Sequence, residues 1–134
     1  MRDVDHSRLM LRMAQKDLKA TEGMLDAEQF DDEIFGFHAQ QVAEKTTKAW
    51  LSLVGIVYPR THDLGELFAL LQDHRQVVPK EFLTLTDFTD FAVQYRYEAF
   101  EDVDSSLARE EVLKKVTAFV QHVGRLFLEV TQNL

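Results

Sequence analysis

Residues 37–64 read FHAQQVAEKTTKAWLSLVGIVYPRTHDL, and their pattern decides the fold class. Ala39, Val42, Thr46, Ala49 and Leu53 recur at helical spacing and form one apolar row. Ala43, Thr47, Trp50 and Val54 form a second row beside it. Side chains so spaced lie one above another on an α-helix. A helix apolar over that much of its circumference is central rather than peripheral. The pattern predicts a helix over 33–54, opened by a capping oxygen of Asp31 or Asp32 and stopped by Gly55. Pro59 marks the loop that follows, and Thr61 or Asp63 is placed to cap a short helix over 64–72.

The periodicity stays helical on both sides. A helix is predicted over 5–26, with Met10, Met13, Ala14, Leu18, Thr21 and Leu25 facing inward. A further helix is predicted over 81–97, facing Phe82, Leu85, Phe88, Phe91, Ala92 and Tyr95 inward. Thr84, Thr86 and Thr89 weaken it and predict a break near residue 86. In the last predicted helix, over 106–130, Leu113, Val116, Val120, Val123, Phe127 and Val130 alternate by three and four residues. That alternation suits an intramolecular bundle or a dimer seam. Five glycines and two prolines punctuate the chain, and no Asn-Gly or Asp-Gly hairpin signal occurs. The expected fold is all-α, an antiparallel up-and-down bundle of four to five helices in a single domain over 1–134.

Composition narrows the function classes. At 134 residues with 46% hydrophobic residues, the chain can bury a sizeable core. It has no cysteine, which removes disulfides, zinc ribbons and thiol catalysis and fits a reducing cytoplasm. No apolar run approaches the roughly 20 residues that span a bilayer. The opening MRDVDHSRLM is charged and lacks an apolar signal core, so an unexported, cytoplasmic protein is expected. The net charge of −8 argues against broad DNA binding. The charge is uneven, however. Residues 37–62 carry Lys45, Lys48 and Arg60 against Glu44, a net +2, whereas residues 81–111 carry nine acidic residues against Arg96 and Arg109, a net −7.

Within the basic island, His38, Gln41, Glu44, Lys45, Lys48 and Ser52 share the edge of the central helix left by the two apolar rows. Two ammonium groups and an amide along one edge suit a phosphate or carboxylate. Arg60 and His62 follow in a short loop, and an arginine supplies the bidentate grip that a lysine lacks. The same spacing also describes an ordinary solvated helix face braced by a Glu44–Lys48 pair. Arg96 likewise has two readings: it tethers its acidic loop through Glu98, Glu101 or Asp102, or it faces the same cleft as Lys45 and Lys48.

The string Gln40-Gln41-Val42-Ala43-Glu44-Lys45-Thr46-Thr47-Lys48-Ala49-Trp50-Leu51 resembles the central helix of HEPN domains, the higher eukaryote and prokaryote nucleotide-binding domains. Pro59-Arg60-Thr61-His62-Asp63-Leu64 resembles the motif that follows that helix, Arg96-Tyr97 stands where the family often has Arg-Tyr-Pro, and Asp17-Leu18 fits the first helix. The resemblance spans about residues 8–130 in order and spacing. It implies a helical bundle that pairs as a homodimer, of bacterial or archaeal origin, commonly encoded beside a small nucleotidyltransferase. That pairing resembles a two-component or toxin–antitoxin arrangement. In one branch of the family, an Arg and a His from each protomer meet across the dimer to form a metal-independent ribonuclease. No arginine here is followed by a histidine after four to six intervening residues, and Arg2 to His6 is one residue short. The nuclease pair is therefore not carried over, no catalytic residue is assigned, and the non-nuclease branch is expected. Glu98 also stands in place of the family's proline after Arg96-Tyr97. What the resemblance carries over is a nucleotide- or partner-binding surface at Gln41, Glu44, Lys45, Lys48, Arg60, His62, Arg96 and Tyr97.

Other chemistry finds little support. A di-metal carboxylate bundle needs Glu-x-x-His pairs, and the residues three before each histidine are Asp3, Phe35, Pro59, Leu71 and Phe119. No metal or cofactor is expected. None of Ser7, Ser52, Ser105 and Ser106 lies in a nucleophile-elbow context, and no glycine-rich phosphate loop exists. His122 reads as a residue at the core edge or a dimer seam, and His74-Arg75 as the end of the third helix. The expected function is a non-catalytic partner of a minimal nucleotidyltransferase that binds a nucleotide or other anion. The alternatives are a toxin-type ribonuclease with a diverged site, such as Arg96 with His62, and a purely structural interaction module.

Overall fold

A computed structural model describes residues 2–86 and 109–133. Among these residues the regular structure is entirely helical, in five segments: α1 (Val4–Glu22), α2 (Asp32–Leu53), α3 (Leu64–Asp73), α4 (Lys80–Leu83) and α5 (Arg109–Gln132). The all-α bundle read from the sequence is thus the observed architecture.

The long helices α1, α2 and α5 pack on one another, and two backbone-level ties fix the register of the first pair. The Asp3 N–H donates to the Ser52 carbonyl at 2.9 Å, and the buried Ser7 hydroxyl donates to the Ala49 carbonyl at 2.7 Å. The start of α1 therefore meets the end of α2, so the two run antiparallel. The Arg8 guanidinium lies 5.4 Å from the Phe127 ring centroid, which sets α5 antiparallel to α1 as well.

The central helix is as apolar as its sequence demanded. Ala39, Val42, Thr46, Ala49 and Leu53 are buried, and so are Ala43, Thr47 and Trp50. Thr46 and Thr47 satisfy their hydroxyls on the carbonyls of Val42 and Ala43, at 2.6 and 2.7 Å, so neither leaves an orphaned polar atom in the core. Trp50 is the largest fully buried side chain. Its ring meets Phe119 of α5, and its indole N–H donates to the Gln76 amide oxygen at 3.2 Å. Phe68 of α3 and Phe82 of α4 also converge on Phe119, at centroid distances of 5.9 and 4.9 Å.

Gly55, at φ 82°, ends α2 in the left-handed conformation that glycine adopts at least cost. Asp63 caps α3 by accepting the Glu66 N–H at 3.3 Å, while Thr61 turns to the Glu66 carboxylate instead. The third helix ends as expected at His74, with Arg75 left-handed at φ 64°.

Several boundaries and faces differ from the sequence reading. Helix α1 stops at Glu22 because Gly23 caps it, short of the predicted end at residue 26. Its buried stripe is Ser7, Leu11, Ala14 and Thr21, whereas Met13 and Leu25 are exposed. The small Ser7 and Ala14 let α1 approach α2 closely, which rotates Met13 outward. Asp31 stands at the start of α2 without a side-chain cap, and Asp32 bonds to Arg109 instead. Of the helix predicted over 81–97, residues 81–86 are described: the short α4 is closed by Thr84, a break two residues before the expected one near 86, and Leu85 beyond it is buried. The remainder, with Phe88, Phe91, Ala92 and Tyr95, and the start of the last helix at 106 lie outside the described residues.

Candidate functional site

The polar edge of α2 is organised around Glu44, which is only 2% exposed. A buried carboxylate is costly unless donors surround it. All three donors come from residues the sequence had placed on this edge or its loop. Lys48, one turn further along α2, donates to Glu44 Oε1 at 2.8 Å. His62, in the loop before α3, donates through Nδ1 to the same oxygen at 2.6 Å. A carboxylate only accepts, so this contact places the proton on Nδ1 and leaves Nε2 outermost. Gln41 approaches Glu44 Oε2 at 3.5 Å, the outer limit of a hydrogen bond. The edge is therefore not a solvated stripe. It is a built cluster of a helix and the loop that folds back on it.

Lys45 leaves this cluster. Its ammonium pairs with Asp17 of α1, so it ties the two helices rather than joining Lys48. His38 stays local, with Nδ1 on the Ile34 carbonyl at 2.9 Å. Arg60 is exposed and forms no ion pair among the described residues. It precedes His62 by two positions, and the His62 side chain is 78% exposed. The outward part of the site thus comprises Arg60 and His62, backed by Lys48 and Glu44. Arg96 and Tyr97 lie outside the described residues.

Tyr58 extends the site in a direction the sequence reading missed. Lys48 Nζ sits over its ring, 5.6 Å from the centroid, as a cation–π contact. Its hydroxyl is hydrogen-bonded to His6 Nε2 at 2.7 Å, joining the loop to the first turn of α1. Burial raises the Tyr58 pKa above the usual phenol value; a Ser52 hydrogen bond opposes that, and the Glu44 and Asp3 carboxylates add to it. Tyr58 therefore stays protonated across physiological pH. Beside it opens a cleft of about 320 Å³ lined by Asp3, His6, Ser52, Ile56, Val57 and Tyr58. An aromatic residue between Gly55 and Pro59 was visible in the sequence. Its partner His6, 52 residues away, obeyed no periodicity that could have linked the two.

No group of three or more His, Asp or Glu residues is arranged to hold a metal among the described residues. No described helix is long and apolar enough to cross a membrane. His122, read as a core-edge or dimer-seam residue, packs its ring against Trp50 and Phe82, both at 5.5 Å.

The HEPN domain family model matches residues 7–126, and the chain belongs to that family. The match spans nearly all of α1 to α5, including the Glu44 cluster and the loop with Arg60 and His62. It places the protein in a family of nucleotide-binding or ribonuclease type. Neither the curated proteins nor the solved structures yield a match.

Proposed function

We propose that this HEPN domain binds an anionic ligand, with a nucleotide as the expected chemistry, at the Arg60–His62–Lys48 edge, and that it acts as the non-catalytic partner of a minimal nucleotidyltransferase. The observation that carries the reading is the buried Glu44 carboxylate, which holds Lys48 and His62 on one oxygen, while Arg60, two positions before His62, is exposed and forms no ion pair among the described residues. Glu44 acts as a positioning residue: it fixes two donors so that little ordering remains when an anion arrives. The Arg60 guanidinium then supplies the paired donors that suit a phosphate. In this reading Gln41 orients Glu44, and Lys45 holds α1 against α2 with Asp17 rather than touching ligand. Arg96 and Tyr97 are proposed to complete the same surface. The absence of an Arg–His pair at nuclease spacing supports a non-catalytic role, the family resemblance supports a homodimer, and the absence of cysteine fits a cytoplasmic location.

Purified protein is expected to leave RNA intact and to gain thermal stability with nucleotide by mass action. The Arg60→Ala and Lys48→Ala variants should lose that gain. Absence of any shift, together with tight binding to a nucleotidyltransferase encoded beside it, would turn the reading to an interaction module.

A second reading has a specific observation in its favour. A carboxylate on His62 Nδ1 with Nε2 outward is the geometry that prepares an imidazole as a general base. With Arg60 alongside, that pair suits RNA cleavage. Hydrolysis that disappears in the His62→Ala variant would establish it against the non-catalytic reading.

A further inference from the structure

The Glu44 cluster and the cleft beside Tyr58 are two parts of one surface. Lys48 donates to Glu44 and also lies over the Tyr58 ring, and Tyr58 in turn lines the cleft. Ser52, one turn beyond Lys48 on α2, lines it too. Only Pro59 separates Tyr58 from Arg60, so at most about 7 Å of backbone lies between them. The anion edge thus ends where the cleft begins.

The cleft has the chemistry of a small organic ligand rather than of a second anion. Its two rings, Tyr58 and His6, lie 6.1 Å apart and tilted by 32°. Val57, 94% exposed, supplies apolar surface that the described residues leave uncovered, and Ile56, 8% exposed, lines the cleft from the core. Asp3 accepts the His6 N–H with one carboxylate oxygen at 3.0 Å, and its second oxygen suits a sugar hydroxyl. At about 320 Å³ the cleft is at the small end of ligand sites, a size that fits one nucleoside.

We infer that the cleft between the start of α1 and the Gly55–Tyr58 loop receives the base and sugar of a mononucleotide whose phosphate lies on Arg60, His62 and Lys48. This rests on the anion-edge reading above and adds to it the size and orientation of the ligand. Tyr58 and His6 contact the base, Asp3 and Ser52 face the sugar, and Val57 is covered on binding. Base–aromatic contact tolerates any base, so the cleft sets the ligand class rather than the base identity.

The test is a methyl NMR titration of the intact chain with AMP, UMP, adenosine and inorganic phosphate. The Ile56 and Val57 methyl resonances are expected to move with both mononucleotides and with adenosine, while inorganic phosphate moves the His62 ring resonances alone. Tyr58→Leu should weaken AMP binding by about tenfold, the effect of losing one aromatic contact. Val57→Trp, at an exposed position that cannot unfold the core, should obstruct AMP in the same way. If AMP moves only the edge, and both variants bind it like the parent, the cleft inference is overturned and the anion edge stands. If mononucleotides and adenosine move the cleft but phosphate and Arg60→Ala have no effect, the edge reading fails while the cleft stands. No response to any of the four overturns both.

Discussion

Two clusters of buried charge are attached to α2, one at its start and one in its second half, and they are finished differently. At the N-terminal end, Arg109 of α5 is 7% exposed and every side of its guanidinium is occupied. It donates to Asp32 Oδ1 at 2.8 and 3.3 Å, to the Met24 carbonyl at 2.6 Å and to the Phe30 carbonyl at 2.5 Å, and it covers the Phe35 ring at 5.1 Å. At the other cluster Glu44 is equally buried, but its partners Lys48 and His62 reach the surface, and Arg60 in the same loop as His62 forms no ion pair among the described residues. The first cluster closes on itself and fastens α5 to the α1–α2 connection. The second is closed inward and open outward. Burial of charge alone does not mark a functional site; unfinished donors on its outer side do.

The largest effect is expected where the closure is complete. Replacing Arg109 with Leu leaves Asp32 and two carbonyl oxygens without donors and should cost about 3–5 kcal/mol, read as a lowered midpoint in urea unfolding. A loss under about 1 kcal/mol would break the distinction between the two clusters. Glu44→Gln should cost less, about 1–3 kcal/mol, because Lys48 and His62 can turn to water when the carboxylate goes. The same variant should weaken ligand binding, which Arg109→Leu need not do once folded.

A smaller, pH-dependent effect is expected at His122, which belongs to neither cluster. Burial lowers its pKa, Arg125 lowers it further, and Glu81 and Glu129 pull it back up. The unfolded chain therefore holds this proton to higher pH than the folded one. Its contribution to stability is complete above about pH 6.5, the unperturbed value, and is lost as pH falls below it. Denaturation at pH 5 and 7.5 should show that loss in the parent and a smaller one in His122→Leu. The smallest effect on stability belongs to the open cluster: His62→Ala and Arg60→Ala should each stay within about 0.5 kcal/mol of the parent while reducing nucleotide binding. A large stability loss in either would mean that the loop is structural like the Arg109 clamp.

The two clusters also differ in how far the sequence exposed them. Glu44, Lys48, Gln41 and His62 could be read from a three- and four-residue spacing and a short following loop. The Glu44–Lys48 pair was visible as a helix neighbour contact. What could not be read was the burial of Glu44, since an edge residue on a helix is ordinarily solvated. Lys45 stood beside Lys48 on the same edge, yet it pairs with Asp17 because α1 passes on its side of α2. Arg109 gave no signal at all: it lay in an acidic stretch, far in sequence from Met24, Phe30 and Asp32. The His6–Tyr58 contact was hidden for the same reason.

The sequence by itself determined what local chemistry can determine. The apolar rows of residues 39–54 dictated a central helix, Gly55 its end, Asp63 the next beginning, and the motifs around Glu44 and Arg60 the family. Those features depend on neighbours within one or two turns. The tertiary structure decided which carboxylate each lysine takes, which face of α1 turns inward, and that a tyrosine joins the basic edge to a cleft. Those outcomes depend on how closely two helices approach, and that distance is set by packing among residues far apart in the chain.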